Sequence, residues 1–297
     1  MVPEAFLRFF FILDVFFGFQ TKRYTWRAIH VLVMSYNIRH GMGCDGRLDL
    51  ERIAAVIESV DPDVVGLNEV DVHFHRRSEW MDQLGWLSRR LRMDCRFGPT
   101  LLTRKSREFP GGGYGNGLLA KDPILRHHSL RLSMKGGEPR GILVADLERE
   151  GRVVRLVVTH LGLTPMMRKR QVEAIIRLCR KWPGPMLVMG DWNVTPENPE
   201  VTRLSPWLTD ALSHCGATGG TYPCPRPRKR IDYIFCSSHF RILKASVAAV
   251  EDCPSDHLPV WCLLDWSKDG SGSGIMGTNR RGDGIERGEI PGPVRDP

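Results

Sequence analysis

Six stretches of this chain end in residue types that bind cations or carry protons. Val31–Tyr36 is an apolar run closed by Asn37, and Val64–Leu67 leads into Asn68 and Glu69. Val153–Thr159 leads into His160, and Met186–Met189 into Gly190-Asp191-Trp192-Asn193. Arg230-Ile231-Asp232-Tyr233 and Ser255-Asp256-His257-Leu258-Pro259-Val260 complete the set. Short continuous apolar runs read as buried strands, and a polar residue at the tip of one is held on a rigid edge facing a cleft. Six such tips rich in Asp, Glu, Asn and His point to metal-assisted hydrolysis.

Cleaving a phosphate ester requires neutralising its non-bridging oxygens, activating water and receiving the leaving-group oxygen. A hard divalent cation held by carboxylates, with positions open to substrate, meets the first need. Glu69 is the best ligand candidate, because Val64-Val65-Gly66-Leu67 holds its carboxylate at a sheet edge. Asp191 and Asn193, two apart, face one side if extended, and suit holding a water and a phosphate oxygen. Asp232 points away from the core face of Ile231. Asp256 offers a carboxylate for a cation or for polarising a histidine. His257 is an imidazole able to work as a base near neutral pH, and His160 is a second one, as donor or acid.

The elements that must position these residues alternate. Leu48–Val60 has helical spacing at Leu50, Ile53, Ala54, Val56 and Ile57 and stops at Asp61-Pro62; Trp80–Leu91 and Met167–Trp182 are further amphipathic helices. Gly115–Ala120, Gly141–Leu147, Val153–Thr159, Met186–Met189, Ile231–Cys236, Ala245–Val250 and Pro259–Leu264 read as strands. Phe109–Gly117, with five glycines, reads as a mobile loop, and no helix start follows it as a phosphate-cradling loop requires. Residues 29–266 therefore form one catalytic domain. Before it, residues 1–28 include the Phe-rich Ala5–Phe19, interrupted by Arg8 and Asp14 and too short for a bilayer span of about 20 residues. An interfacial anchor, an element packed on the core and translated sequence upstream of the true start all stay open; the segment is expected to be peripheral to the catalytic fold. Residues 267–297, rich in Gly, Ser, Pro and mixed charge, are expected to be a disordered tail.

The net charge of +8 and a pI near 9.2 favour anionic partners. The excess lies before the tail, which balances five Lys/Arg against five Asp/Glu. The eight cysteines contain no Cys-x-x-Cys pair, which argues against a zinc site and for free thiols in a reducing, cytoplasmic setting.

Taken in order, the six pieces resemble the endonuclease/exonuclease/phosphatase superfamily, which includes deoxyribonucleases, apurinic endonucleases, neutral sphingomyelinases and inositol polyphosphate 5-phosphatases. The resemblance runs from Val31 to Leu264, and Gly190-Asp191-Trp192-Asn193 with Ser255-Asp256-His257 is its most specific part. It implies an α/β fold, a four-layer α/β/β/α sandwich of two mixed β-sheets flanked by helices, with the site at one rim. It implies Mg²⁺ or Mn²⁺ held by Asn37, Glu69 and Asp256. Asp191 and Asn193 would position the nucleophile and contact phosphate. His257, paired with Asp232, would be the general base or a phosphate-contacting imidazole, and His160 would stabilise the transition state. Arg140 looks like the arginine that some branches use on phosphate. Asn68 stands where many relatives carry Gln, and Trp192 where Phe is commoner; both are expected to support the site from behind. Tyr36-Asn37-Ile38-Arg39-His40-Gly41, Gly46-Arg47-Leu48-Asp49 and Glu69-Val70-Asp71 look like the bacterial branch of generic metal-dependent hydrolases, related to proteins grouped with lipid-anchor remodelling. His73-Phe74-His75 reads as surface rather than as a second metal site.

The expectation is a monomeric phosphohydrolase acting on a phosphate-ester substrate, a phosphodiesterase before a monoesterase. Nucleic acid is the first rival substrate, favoured by the basic runs but lacking an aromatic-interleaved basic stripe. A lipid headgroup is the second, reached at a membrane surface through residues 1–28. A non-catalytic scaffold is the third reading, opposed by the retention of every expected polar position.

Overall fold

The computed structural model describes residues 30–103, 111–132 and 138–267. The expected disordered tail beyond Ser267 and the peripheral segment 1–28 lie outside the described residues. In chain order the elements are β1 (Val31–Asn37), α1 (Leu50–Val60), β2 (Val64–Val72), α2 (Gln83–Leu91), β3 (Asp94–Leu102), β4 (Gly113–Ala120), β5 (Ile124–Leu132) and β6 (Arg140–Arg149). They continue with β7 (Arg152–His160), α3 (Pro165–Lys181), β8 (Met186–Asp191), α4 (Pro199–Thr202), β9 (Thr209–Asp210), α5 (Ala211–His214), β10 (Asp232–Cys236), β11 (Phe240–Val247) and β12 (Val260–Trp266).

The strands form two mixed sheets of six, ordered β11-β12-β1-β2-β4-β3 and β5-β6-β7-β8-β10-β9. Period-two alternation divides each apolar run between two cores. Val33, Val64, Leu118, Leu143, Leu156, Val158, Met189 and Ile234 meet between the sheets. The alternate residues Met34, Tyr36, Val65 and Leu67 pack outward against Ile53, Ile57, Leu84 and Leu87 of α1 and α2. On the second sheet Val144, Val157, Val188 and Phe235 pack against Val172, Ile175 and Ile176 of α3. This is the expected four-layer sandwich, and it explains why the central strands are apolar on both faces.

Local chemistry sets the helix bounds. Asp49 caps α1, accepting from the backbone N–H of Glu51 at 3.0 Å and Arg52 at 3.4 Å, an arrangement worth about 1 kcal/mol. The second helix begins later than its apolar spacing implied: Glu79 and Trp80 have positive φ, and Asp82 caps Gly85 at 2.8 Å. Thr164 and Pro165 start α3 two residues before Met167. The third strand and the fifth were not read from sequence. Both are edge strands with polar, partly exposed residues, and an edge needs no continuous apolar run.

One expectation is overturned. Within the stretch 109–117, read as a mobile loop, Gly113–Gly117 lies in β4 and is buried. A side chain at Gly115 would overlap the Gly98 carbonyl oxygen of the neighbouring strand, so glycine serves close strand approach there.

The topology brings the polar tips to one rim. In the parallel pair β1/β2, Asn37 sits opposite Asn68; in the parallel pair β7/β8, His160 sits opposite Asp191; in the antiparallel pair β8/β10, Asp191 sits opposite Asp232.

Candidate active site

The two sheets are locked at this rim by buried amides. Asn68 Oδ1 accepts from the Asp191 backbone N–H at 2.8 Å, while its Nδ2 donates to Asn116 Oδ1 at 2.8 Å and to the Thr159 carbonyl at 3.0 Å. Asn116 Nδ2 in turn donates to the Gly141 carbonyl at 3.1 Å. The two amides thus bond to each other within the first sheet and reach Asp191, Thr159 and Gly141 of the second, which is how fully buried polar groups are tolerated. The supporting role expected of Asn68 is met through the backbone of Asp191.

Asn68 and Glu69 together oppose Asn116, so the ladder between β2 and β4 carries a bulge, and Glu69 adopts a left-handed φ of 58°. Bulges re-aim side chains, and this one turns the carboxylate towards the cleft rather than along the pleat. Glu69 Oε1 accepts from Asn37 Nδ2 at 3.1 Å, and the same nitrogen donates to Asp191 Oδ2 at 3.1 Å. Burial raises the Glu69 carboxyl above its ordinary range against the lowering effect of that hydrogen bond. Among the described residues it has no ion pair within 4 Å.

Asp191 ends β8 after Gly190, whose φ of 143° and approach to the Thr159 carbonyl oxygen exclude a side chain. Asp191 Oδ2 lies 3.3 Å from His160 Nε2 and 3.6 Å from His257 Nε2; Oδ1 accepts from the Asn193 backbone N–H at 2.9 Å. Burial first, and Asp232 second among raising influences, lift Asp191 to about 7 although His257 pulls the other way. Asn193 is not extended, as its spacing from Asp191 suggested, but has a φ of 55°, which brings its Nδ2 within 3.1 Å of His160 Nε2 and 3.0 Å of the Leu161 carbonyl it donates to.

His160 is held from behind by Arg140, whose Nη1 lies 3.0 Å from Nδ1. A guanidinium only donates, so Nδ1 accepts and the ring proton of the neutral form sits on Nε2, facing Asp191; Asn193 Nδ2, itself only a donor, then makes a close contact with Nε2 and not a hydrogen bond. Burial and the Arg140 charge hold His160 well below its ordinary range, consistent with a neutral ring. Arg140 itself is buried at the start of β6 and paired with Glu138 at 3.2 Å. It lies behind the histidine.

His257 Nδ1 binds Asp232 Oδ2 at 2.9 Å, and the ring lies 4.9 Å from that of Tyr222. Burial opposes charge on this imidazole, but Asp232 and Asp191 outweigh it and raise it to about 10. Asp256 is half-buried, its Oδ2 3.6 Å from Arg39 Nε, and its charge acts on both Glu69 and His257. Ser255 Oγ donates to the Asn37 carbonyl at 2.7 Å and accepts from the His257 N–H at 3.2 Å, fixing the last motif to the first. All nine residues singled out from the sequence therefore gather at one rim. Tyr222, Arg39 and Asn116 join them without having been assigned roles. Trp192 instead turns into the core beneath α3, its ring 4.7 Å from Phe235. His73 and His75 serve local turns, with Nδ1 of each bonded to the Trp80 carbonyl and the Arg77 N–H.

The donor set fits a hard divalent cation. Glu69 and Asp256 bring two carboxylates, and beside them Asp191 and Asp232 carry oxygens within 4.8 Å of each other and of a His257 nitrogen, with Asp232 Oδ1 buried and unpartnered among the described residues.

A four-layer sandwich with amides, carboxylates and imidazoles converging at one rim is the architecture of phosphoester hydrolases of the endonuclease/exonuclease/phosphatase type. The chain belongs to that family: the model of the Endonuclease/Exonuclease/phosphatase family matches residues 34–257. The family takes in phosphatases, phosphodiesterases and nucleases. Among curated proteins, the uncharacterized protein YbhP of Escherichia coli K12 is 25% identical over 263 residues, covering 81% of this chain and 96% of its own length. Among solved structures, an endonuclease/exonuclease/phosphatase from Beutenbergia cavernae superposes with a TM-score of 0.68 at 27% identity, covering 80% of this chain and 72% of that one. The Bacteroides thetaiotaomicron mannosyl-6-phosphatase Bt3783 gives 0.64 at 21% identity, covering 80% and 100%. No helix among the described residues is long and apolar enough to cross a membrane.

Proposed function

We propose that this protein is a Mg²⁺- or Mn²⁺-dependent phosphohydrolase, a phosphodiesterase before a monoesterase, that directs water in line onto phosphorus. The observation that carries the reading is the contact of Asp191 with Asn37, His160 and His257 from three different parts of the chain, beside a Glu69 that has no ion pair among the described residues. Glu69 and Asp256, with Asn37, would hold the cation. Once bound, it supplies charge neutralisation for the phosphate oxygens. The protein's own residues do the rest. Asp191, titrating near 7, orients the attacking water and takes its proton. His257, kept protonated by Asp232 at neutral pH, is a cationic donor to a phosphate oxygen rather than the resting base. His160 Nε2–H and Asn193 Nδ2 are neutral donors aimed at the charge that builds on the equatorial oxygens. Arg140 fixes the His160 tautomer.

Turnover of bis-(p-nitrophenyl) phosphate tests the reading: Mg²⁺-dependent release of nitrophenol, abolished by EDTA and restored by excess Mg²⁺, is expected. Turnover unaffected by EDTA, or none with any divalent cation on diester and monoester alike, would overturn it.

A second reading, a nuclease, is favoured by the wall beside Glu69. Arg77 is held by Asp71 at 2.9 Å and lies over the Tyr114 ring at 5.2 Å and the Phe74 ring at 5.7 Å. An arginine–aromatic face of this kind can stack a nucleobase. Nicking of plasmid or cleavage of single strands, set against headgroup release from lipid vesicles, separates this reading from a lipid phosphodiesterase. For Bt3783 the substrate in its name is a phosphomonoester, so mannose 6-phosphate belongs in the same panel.

A further inference from the structure

Three cysteines far apart in sequence meet beside this rim. The sulfurs of Cys44, Cys224 and Cys253 lie within 4.8 Å of one another, and none of the three is in a disulfide. Cys44 follows the turn after β1, Cys224 precedes β10, and Cys253 precedes the Ser255-Asp256-His257 motif. Backbone hydrogen bonds fix the three loops: the Cys44 N–H donates to the Cys253 carbonyl at 3.0 Å and the Cys224 N–H to the Asp256 carbonyl at 2.8 Å. Cys44 and Cys224 are 180 residues apart, yet the Cys44 thiol reaches the Cys224 carbonyl at 3.4 Å. The absence of Cys-x-x-Cys pairs weighed against a metal centre because it measured spacing along the chain, whereas this cluster is made by tertiary structure.

A second observation points into the same spot. The Tyr36 hydroxyl is fully buried with no hydrogen-bond partner among the described residues, and all three cysteines act on it electrostatically. A buried hydroxyl left unpaired is costly, and a phenol is a good donor to a metal-bound thiolate. Cys44 is exposed while Cys224 is buried, so the cluster opens to solvent on one side.

We propose that Cys44, Cys224 and Cys253 form a thiolate site for one soft or borderline cation, Zn²⁺ in the first instance, with a fourth position open to solvent on the Cys44 side. Metal–sulfur bonds of about 2.3 Å in a tetrahedral centre set the sulfurs about 3.8 Å apart, a spacing that falls inside the 4.8 Å within which the three already lie. Binding replaces each thiol proton by a bond to the cation, the protons passing to buffer. The site is chemically distinct from the oxygen-rich rim, since thiolates select soft metals and carboxylates hard ones. Its place is structural: it staples the loops carrying Tyr222 and Asp256-His257 to the end of β1, where Tyr36 adjoins Asn37.

The test is anaerobic titration of the reduced, metal-free full-length protein with Co²⁺. Thiolate-to-cobalt charge-transfer absorption saturating at one equivalent is expected, because the oxygen ligands of the rim give no such band. Cys253→Ser and Cys44→Ser should lose it, and Cys179→Ser, on the buried face of α3, should keep it. X-ray absorption on the zinc form of the unmutated protein should show three sulfur neighbours at about 2.3 Å, a result that does not depend on the variants folding. Absence of the band, its persistence in Cys253→Ser, or a zinc shell of oxygen and nitrogen only overturns the proposal. So does a thiol count showing two of the three joined as a disulfide in the protein as isolated.

Discussion

The two halves of the rim are built differently. The half from the second sheet, His160, Asp191 and Asp232 with Asn193 and His257, is nearly dry, and its groups are tied to one another at 2.9–3.6 Å. The half from the first sheet and the last loop, Glu69 and Asp256, is only partly buried; among the described residues Glu69 sits on a bulge with an amide for its partner, and Asp256 has a 3.6 Å contact with Arg39. Rigid, mutually satisfied groups are suited to holding protons at set positions. Carboxylates with spare capacity facing solvent are suited to a cation that arrives from outside. Under the proposed function, proton handling and cation holding would be divided between these two halves, with Asn37 bridging them.

The largest effect should come from the dry half. His257→Ala and Asp191→Asn are each expected to lower kcat by about 10²–10³ or more with the fold retained, as steady-state kinetics and circular dichroism would show. Equal and small losses in both would erase the division. Glu69→Gln should lower turnover by at least about a hundredfold at limiting Mg²⁺, with part of the loss recovered as Mg²⁺ is raised, since the residue acts through the cation; a Mg²⁺ titration of the rate reads this.

Stability offers a sharper cut. Asn68→Ala leaves the Asp191 N–H and the Thr159 carbonyl without their cross-sheet partner, and should cost about 1–3 kcal/mol for each buried group left unpaired, measured by urea denaturation. The smallest effect is pH linkage. Asp191 is raised above its unfolded value to about 7, so in cation-free protein its contribution is complete below the ordinary carboxylate range and is lost as pH rises through 7. His257, also raised, loses its contribution as pH rises towards 10. Cation binding competes with these protons, so the Mg²⁺-induced rise in Tm should be larger at about pH 8 than at about pH 5.5 in differential scanning fluorimetry.

The sheet framework and the rim were legible in the sequence because central strands are apolar on both faces and their polar tips stand out against that background. Asn37, Glu69, His160 and Asp191 are all of this kind. Edge strands such as β3 and β5 carry no such contrast, and the glycines of β4 look like a turn until the neighbouring strand shows what their missing side chains make room for. Asn116 lay among those glycines, and its cross-sheet role is visible only once both sheets are placed. The three cysteines were hidden for the same reason: their proximity is a property of loop packing.

Mn²⁺ binding followed by electron paramagnetic resonance, in parallel with turnover on the same preparations, tests the divided rim most directly. The account predicts that His257→Ala keeps the cation and loses catalysis, while Glu69→Gln loses both. Glu69→Gln binding Mn²⁺ as tightly as the unmutated protein, or His257→Ala turning over normally, would contradict it.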